Sequence, residues 1–315
     1  MVKDSIFSLT LLVWAASTSA ATQTIARQVE VPGATLHIEV RQPVSDEKAA
    51  ELIDWVESAA RNVNLTYGRF PNPAPRIIIT PSNRGSWGKN SAVIFGQVTR
   101  SRGETVELFV NPDRPIAEFY EDWTATHEFS HLMLPLLSQR YRWISEGFAT
   151  YYQNILMMRA ERYTPEFGWQ RLTAGFARGH DSRPELSPNE AAAGGIAQAR
   201  MKVYWSGAAI ALLADTELRR RSAGKESLDT VLSDLQLCCL PSKRRWSGRE
   251  LFEKLDSFLE TPLFMPLYRE HANEAGFPPL DVVITELGIE AAADGISLQD
   301  DAPLADIREA ITAGQ

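Results

Sequence analysis

The apolar positions along this chain change period several times, and each change predicts an element. In residues 28–40, Val29, Val31, Leu36, Ile38 and Val40 alternate loosely around Pro32-Gly33. Period two marks a half-buried strand and Pro-Gly a turn, so strands are expected on both sides of it. From Ser45 the period becomes helical. Ser45 suits an N-cap, Asp46 and Glu47 suit the first turn, and Leu52, Ile53, Val56, Ala60 and Val63 share one face. Ile77-Ile78-Ile79 predicts a buried strand over residues 76–80, and residues 91–98 and 105–110 predict two more.

The next helix is expected to begin near Pro115 and to run to about Leu134. Pro135 lacks an N–H and ends or kinks it there. A further apolar helix is expected over residues 145–162. Beyond residue 165 the pattern is mainly helical. Tyr204 to Leu213 is apolar or small on every side, which predicts a buried helix. Gly224 reads as its stop and Ser227 as the next cap. Ser247-Gly248-Arg249-Glu250 reads as a capping box ahead of Leu251, Leu255 and Leu259. Residues 181–200 are rich in Pro, Gly, Ser and Ala and read as a loop bordering a cleft. The tail after Gly276 is acidic, with a short helical pattern at Leu304, Ile307 and Ile311. The sequence has no internal repeats.

Composition narrows the class. The 315 residues suffice for one large or two modest domains, and 44% hydrophobic with 23% charged is ordinary for a soluble globular chain. The net charge of −8, with no basic stripe interleaved with aromatics, argues against a nucleic-acid partner. Arg219-Arg220-Arg221 falls at an expected helix C-terminus, where the helix dipole favours cations. Residues 1–21 read as a secretory signal: Lys3, an apolar run over 6–16, then small residues through Ala21. The run is short for a membrane span; an uncleaved anchor or a buried first helix are the rival readings. A periplasmic or secreted protein is expected, with no stable membrane span once the signal is removed. Cys238 and Cys239 are the only cysteines. Neighbouring cysteines either close a strained ring or stay as small buried thiols at a helix end, and the thiols are expected here.

The candidate chemistry sits in His127-Glu128-Phe129-Ser130-His131 and in Glu146, fifteen residues beyond His131. Residues four apart on a helix lie one above the other, so His127 and His131 can share one metal ion. Glu146 supplies a third ligand and leaves a fourth position open, the arrangement of catalytic zinc. Glu128, at the edge of the same face, can reach a water there as a base. One Zn2+ per chain is expected. The pattern also occurs in helices that bind nothing, but only five histidines are present and two fall in it. His37, His180 and His271 have no ligand spacing.

Three segments in order, His127-Glu128-x-x-His131, Trp143-Ile144-Ser145-Glu146-Gly147-Phe148-Ala149 and Tyr204-Trp205-Ser206-Gly207-Ala208, resemble the gluzincin metallopeptidases. The similarity is to the aminopeptidase N and glycyl aminopeptidase families, over residues 90–235. The stretch Gly207 to Leu235, with Asp215, Gly224-Lys225 and Ser227-Leu228-Asp229, is similar to the glycyl aminopeptidases in particular.

The resemblance implies an α+β fold with a thermolysin-like zinc peptidase lobe. With the signal peptide (1–21) read above, the expected division is a lobe with a small mixed sheet and the HExxH helix (22–165), a mainly helical lobe closing the cleft (166–275), and a tail packed on it (276–315). It implies His127, His131 and Glu146 as zinc ligands, Glu128 as general base, and Tyr204 as the donor to the oxyanion. The substrate implied is a peptide or protein; the oligomeric state is not implied. The aminopeptidases' amine-binding acid is expected between Gly88 and Gly96, where this chain has Lys89-Asn90-Ser91-Ala92-Val93-Ile94-Phe95 and no acid. Cleavage that does not read a free α-amine is therefore expected, with Glu104 and Glu107 as the acids able to substitute. The rival class is a catalytically silent zinc-binding scaffold for peptides or proteins; a third is hydrolysis of a non-peptide bond.

Overall fold

The computed structural model describes residues 24–82, 91–101, 103–293 and 295–314. The expected signal segment and the positions Lys89 and Asn90 lie outside the described residues. The fold is mixed α+β, with a small sheet and many helices.

β1 (Thr24–Val31) and β2 (Ala34–Arg41) pair antiparallel. Gly33 turns between them with φ +82°, a conformation that favours glycine. The helix α1 (Asp46–Asn64) follows, capped by Ser45, whose side chain accepts the Lys48 N–H at 3.1 Å. Its expected apolar face is buried throughout. β3 (Arg76–Pro81), β4 (Val93–Thr99) and β5 (Thr105–Val110) complete a five-stranded sheet in the order β1-β2-β3-β5-β4. β2, β3 and β5 run parallel, while β4 is antiparallel to β5 and forms an edge. Ile77, Ile78 and Ile79 are all buried, as a strand covered on both faces requires.

The helix expected from Pro115 to Leu134 is two helices. α2 (Ile116–Glu121) ends at Asp122, which is extended, and α3 (Thr124–Ser130) starts afresh. Asp122 explains the break: its carboxylate accepts the Thr124 N–H at 2.7 Å, a local bond that competes with helix continuation. A single 3-10 turn, His131–Met133, follows α3. Leu134 then goes extended, as the residue before Pro135 must.

The remainder is helical apart from one small hairpin. α4 (Arg142–Arg159), α5 (Pro165–Asp181), α6 (Pro188–Ala193) and α7 (Ile196–Ser222) come first. α8 (Leu228–Cys239), α9 (Gly248–Asp256), α10 (Phe264–His271) and α11 (Asp281–Glu286) follow. The antiparallel pair β6 (Ile289–Ala292) and β7 (Gly295–Leu298) precedes α12 (Ala305–Ala313). Ser227 and Ser247 both close capping boxes, with Thr230 and Glu250.

Three further expectations are corrected. Residues 181–200 are not one loop: Ser187 and Glu190 form a capping box that starts α6, and α7 begins at Ile196. Cys238 and Cys239 are bonded to each other, and Cys238 is exposed; the pair ends α8 where the backbone leaves the helix. Arg219 is not merely a cation near a helix end. It is buried and pairs with Asp215 at 3.0 Å.

That pair belongs to a buried polar network. Tyr151 donates to Asp215 and Tyr152 to Asp229, each at 2.7 Å. Arg159 pairs with Asp229 at 2.9 Å, and the Leu228 N–H donates to Asp215 at 2.9 Å. The network ties α4, α7 and the start of α8 together. α4 and α7 cross most closely at two glycines, Gly147 and Gly207. This crossing places the residue before Gly147 beside the residue three before Gly207: Glu146 beside Tyr204.

Candidate metal centre and cleft

α3, the 3-10 turn that follows it and α4 bring His127, His131 and Glu146 together, all buried. Glu146 Oε2 lies 3.5 Å from His127 Nε2 and 3.4 Å from His131 Nε2. Ligands about 2.0–2.1 Å from a tetrahedral zinc stand roughly 3.3–3.5 Å apart. The spacing therefore fits one zinc ion, as does the His-His-Glu donor set. Among the described residues this is the one group of histidine, cysteine and acidic side chains that fits a metal.

Each imidazole is held from behind. His127 Nδ1 lies 2.7 Å from Gln153 Oε1, and His131 Nδ1 lies 3.0 Å from Ser145 Oγ. The carbonyl oxygen of Gln153 accepts the Nδ1 proton, which leaves the Nε2 lone pair of His127 facing Glu146. Sequence reasoning missed both partners. Gln153 lies two turns along α4 from Glu146, on the same helix face, and that spacing was the available signal.

Glu128 is buried against the middle of β4, at Gly96. Burial pushes its carboxyl above the usual range, against the pull of His131 and His127. Burial opposes ionisation of Glu146 too, but the two imidazoles outweigh it and hold that carboxyl well below the usual range. Gly96 makes room for Glu128: a Cβ there would lie 2.5 Å from Glu128 Cγ. Tyr204, on α7, stacks on His127 with ring centres 5.9 Å apart and planes 7° off parallel. Burial, with Glu146 and Glu128 nearby, raises its phenol far above the ordinary value.

Two cavities meet at this centre, and Phe95, Gly96, Glu128 and Tyr204 line both. One, of about 470 Å³, extends past His131 and Glu146 to Arg100, Arg142 and Arg245. The other, of about 410 Å³, extends past His127 to Arg171, Arg178 and Arg200. The edge strand β4 runs along both. Among the described residues, the carboxylates lining the two are Glu128 and Glu146 alone. Glu104 and Glu107 do not reach the cleft. Glu104 pairs with Arg100 at 3.2 Å and accepts from Asn72, and Glu107 accepts from Gln97 at 2.5 Å. Arg100 also donates to the His131 carbonyl at 2.7 Å, so Glu104 steadies the turn that carries a candidate ligand.

His37, His180 and His271 lie away from the centre, each beside a polar or acidic neighbour: Gln28, Asp181 and Glu270. No helix among the described residues is long and apolar enough to cross a membrane.

No protein-family model matches the sequence, and no curated protein matches it. Solved structures do match. An aminopeptidase N family protein from Idiomarina loihiensis superposes with a TM-score of 0.57 at 13% identity, over 89% of this chain and 53% of that one. An M1 zinc metallopeptidase from Deinococcus radiodurans gives 0.51 at 18%, over 82% and 53%. Yeast LTA4 hydrolase gives 0.53 at 13%, over 81% and 40%. The chain thus spans about half the length of these structures or less. At such identity the likeness is one of fold. The chain shares its fold with an aminopeptidase N family protein and an M1 zinc metallopeptidase, and its own His-His-Glu group is suited to one zinc ion.

Proposed function

We propose that this chain is a zinc-dependent peptidase, with His127, His131 and Glu146 as ligands, Glu128 as general base and Tyr204 as oxyanion donor. The observation that carries this reading is the meeting of both cavities at Glu128 and Tyr204, beside a ligand set spaced for tetrahedral zinc. Zinc, when bound, lowers the pKa of a water toward ~7 and polarises a carbonyl. Glu128 takes the proton of the attacking water and passes it to the leaving amine. Its raised pKa suits it to both halves of that transfer. Tyr204 keeps its proton and so can donate a hydrogen bond to charge that develops only in the transition state. β4 offers an open sheet edge, against which an extended peptide can add as a strand. These features favour a catalyst over a silent scaffold, which has no use for a buried base and a phenol at the same point.

Residues 22–165 are read as a thermolysin-like catalytic lobe, 166–275 as the helical lobe across the cleft and 276–315 as a tail packed on it. The leader-like residues 1–21 support a periplasmic or secreted location. The Cys238–Cys239 bond accords with an oxidising compartment.

Internal cleavage is favoured over removal of N-terminal residues. The lack of a further carboxylate among the described lining residues supports this, since a cationic α-amine needs an acid near the zinc. The rival reading, an aminopeptidase, is favoured by the likeness to an aminopeptidase N family protein. Matched peptides with free and acetylated N-termini, incubated with the zinc-loaded protein, separate the two. Cleavage of both is expected. Cleavage of the free form alone would make the enzyme an aminopeptidase.

A further inference from the structure

The cavity beyond His127 is cationic in a chain whose net charge is −8. Arg171 and Arg178 stand two turns apart on α5, so they share a face, and Arg200 lies one turn before Tyr204 on α7. All three line the cavity, and Glu128 is its one carboxylate among the described residues.

The arginines of α5 are held by rings, not by acids. The Arg178 guanidinium sits 5.4 Å from the centre of the Trp205 ring. Arg171 sits 5.4 Å from Tyr163 and 5.7 Å from Phe167, with Asn154 Oδ1 at 3.4 Å. Neither makes an ion pair with a described residue. The Trp205 platform is itself built in. Gly175 and Gly179 of α5 leave space for it, since a Cβ on either would lie 2.0 or 2.4 Å from Trp205 atoms. A cation on an aromatic face keeps its N–H edge directed outward, able to take a planar anion in two parallel hydrogen bonds.

We propose that this cavity is a specificity pocket for a substrate carboxylate, read by Arg171 and Arg178 with Arg200 beside them, so that the enzyme selects acidic peptides. The inference rests on the peptidase reading above and names its substrate class. The carboxylate is either an acidic side chain near the scissile bond or the C-terminal carboxylate of a short peptide. Arg171 is half-buried, while Arg178 and Arg200 stand exposed at the mouth of the cavity, so a neutral substrate forgoes charge-assisted hydrogen bonds chiefly at Arg171 and Arg178. A charge field of one sign in such a cleft also raises the local concentration of acidic ligands.

The test is calorimetric titration of full-length, zinc-loaded Glu128→Gln protein, which removes turnover from the measurement. Four peptides of one sequence are compared: Glu or Gln at a single position, each with a C-terminal acid or amide. Binding tighter by about tenfold to hundredfold for the carboxylate member is expected, the range that a charge-assisted hydrogen bond supports. The Glu/Gln pair and the acid/amide pair tell the two sources apart. In an Arg171→Gln, Arg178→Gln background with unchanged zinc content and circular dichroism, the preference should fall toward unity. Arg178→Lys, which keeps the charge, should retain part of it. Equal binding of all four peptides by the parent protein would overturn the pocket assignment and leave the peptidase reading standing. Failure to bind any of them, with no cleavage by the wild-type enzyme, would overturn both.

Discussion

Gly147 and Gly207 meet across the α4–α7 crossing with no room for a methyl group: a Cβ on Gly147 would lie 2.2 Å from Gly207 Cα. The contact sets how close a candidate ligand on one helix comes to a candidate donor on the other. Gly147→Ala must push the helices apart or strain them, and overpacking of this kind costs about 1–3 kcal/mol, sometimes more. We expect a lowered Tm and weakened zinc binding together. An unchanged Tm and zinc affinity would show that the crossing has slack to admit a methyl group.

Gln153 fixes the ring of His127 from behind. Replacing such a partner typically costs 10- to 100-fold in metal affinity. Gln153→Leu should therefore lose zinc to a competing chelator at about that lower concentration while keeping its circular dichroism. Affinity within twofold of wild type would remove Gln153 from the account.

Asp215 accepts from Tyr151, pairs with Arg219 and holds the first N–H of α8. Asp215→Ala leaves the buried Arg219 without that partner. Breaking a buried pair costs about 3–5 kcal/mol, so this variant should be among the least stable single substitutions, as read by urea denaturation. A loss below about 1 kcal/mol, the scale of an exposed pair, would mean that water reaches the network.

Zinc bound to the folded chain alone should raise its stability by mass action, by about 4 kcal/mol when free metal is a thousandfold above Kd. Stripping with a chelator should lower Tm, and zinc should restore it. A Tm indifferent to both treatments would count against a native metal site.

Much of this was legible in the sequence, for reasons particular residues make plain. His127, His131 and Glu146 announce themselves because a helix converts sequence spacing into spatial spacing. Ser45, Ser227 and Ser247 mark helix starts because a hydroxyl can satisfy an N–H that has no partner. The split between α2 and α3 was hidden because Asp122 looks like any helical surface acid until its bond to Thr124 is seen. α6 was hidden because Pro188 and the small residues around it suggested a loop, although Ser187 and Glu190 carried the cap signal. Arg171 and Arg178 gave no sign, since the cleft they line is closed by helices far apart along the chain.

The central claim is that Glu128 acts as general base beside a zinc ion that His127, His131 and Glu146 would hold. The most direct measurement compares wild type and Glu128→Gln for zinc content and for hydrolysis of a broad peptide library. The account predicts one zinc per chain in both, with peptide cleavage by wild type and none by Glu128→Gln, because an amide cannot take the water's proton. Cleavage by Glu128→Gln at the wild-type rate, or no cleavage by a fully zinc-loaded wild type, would contradict it.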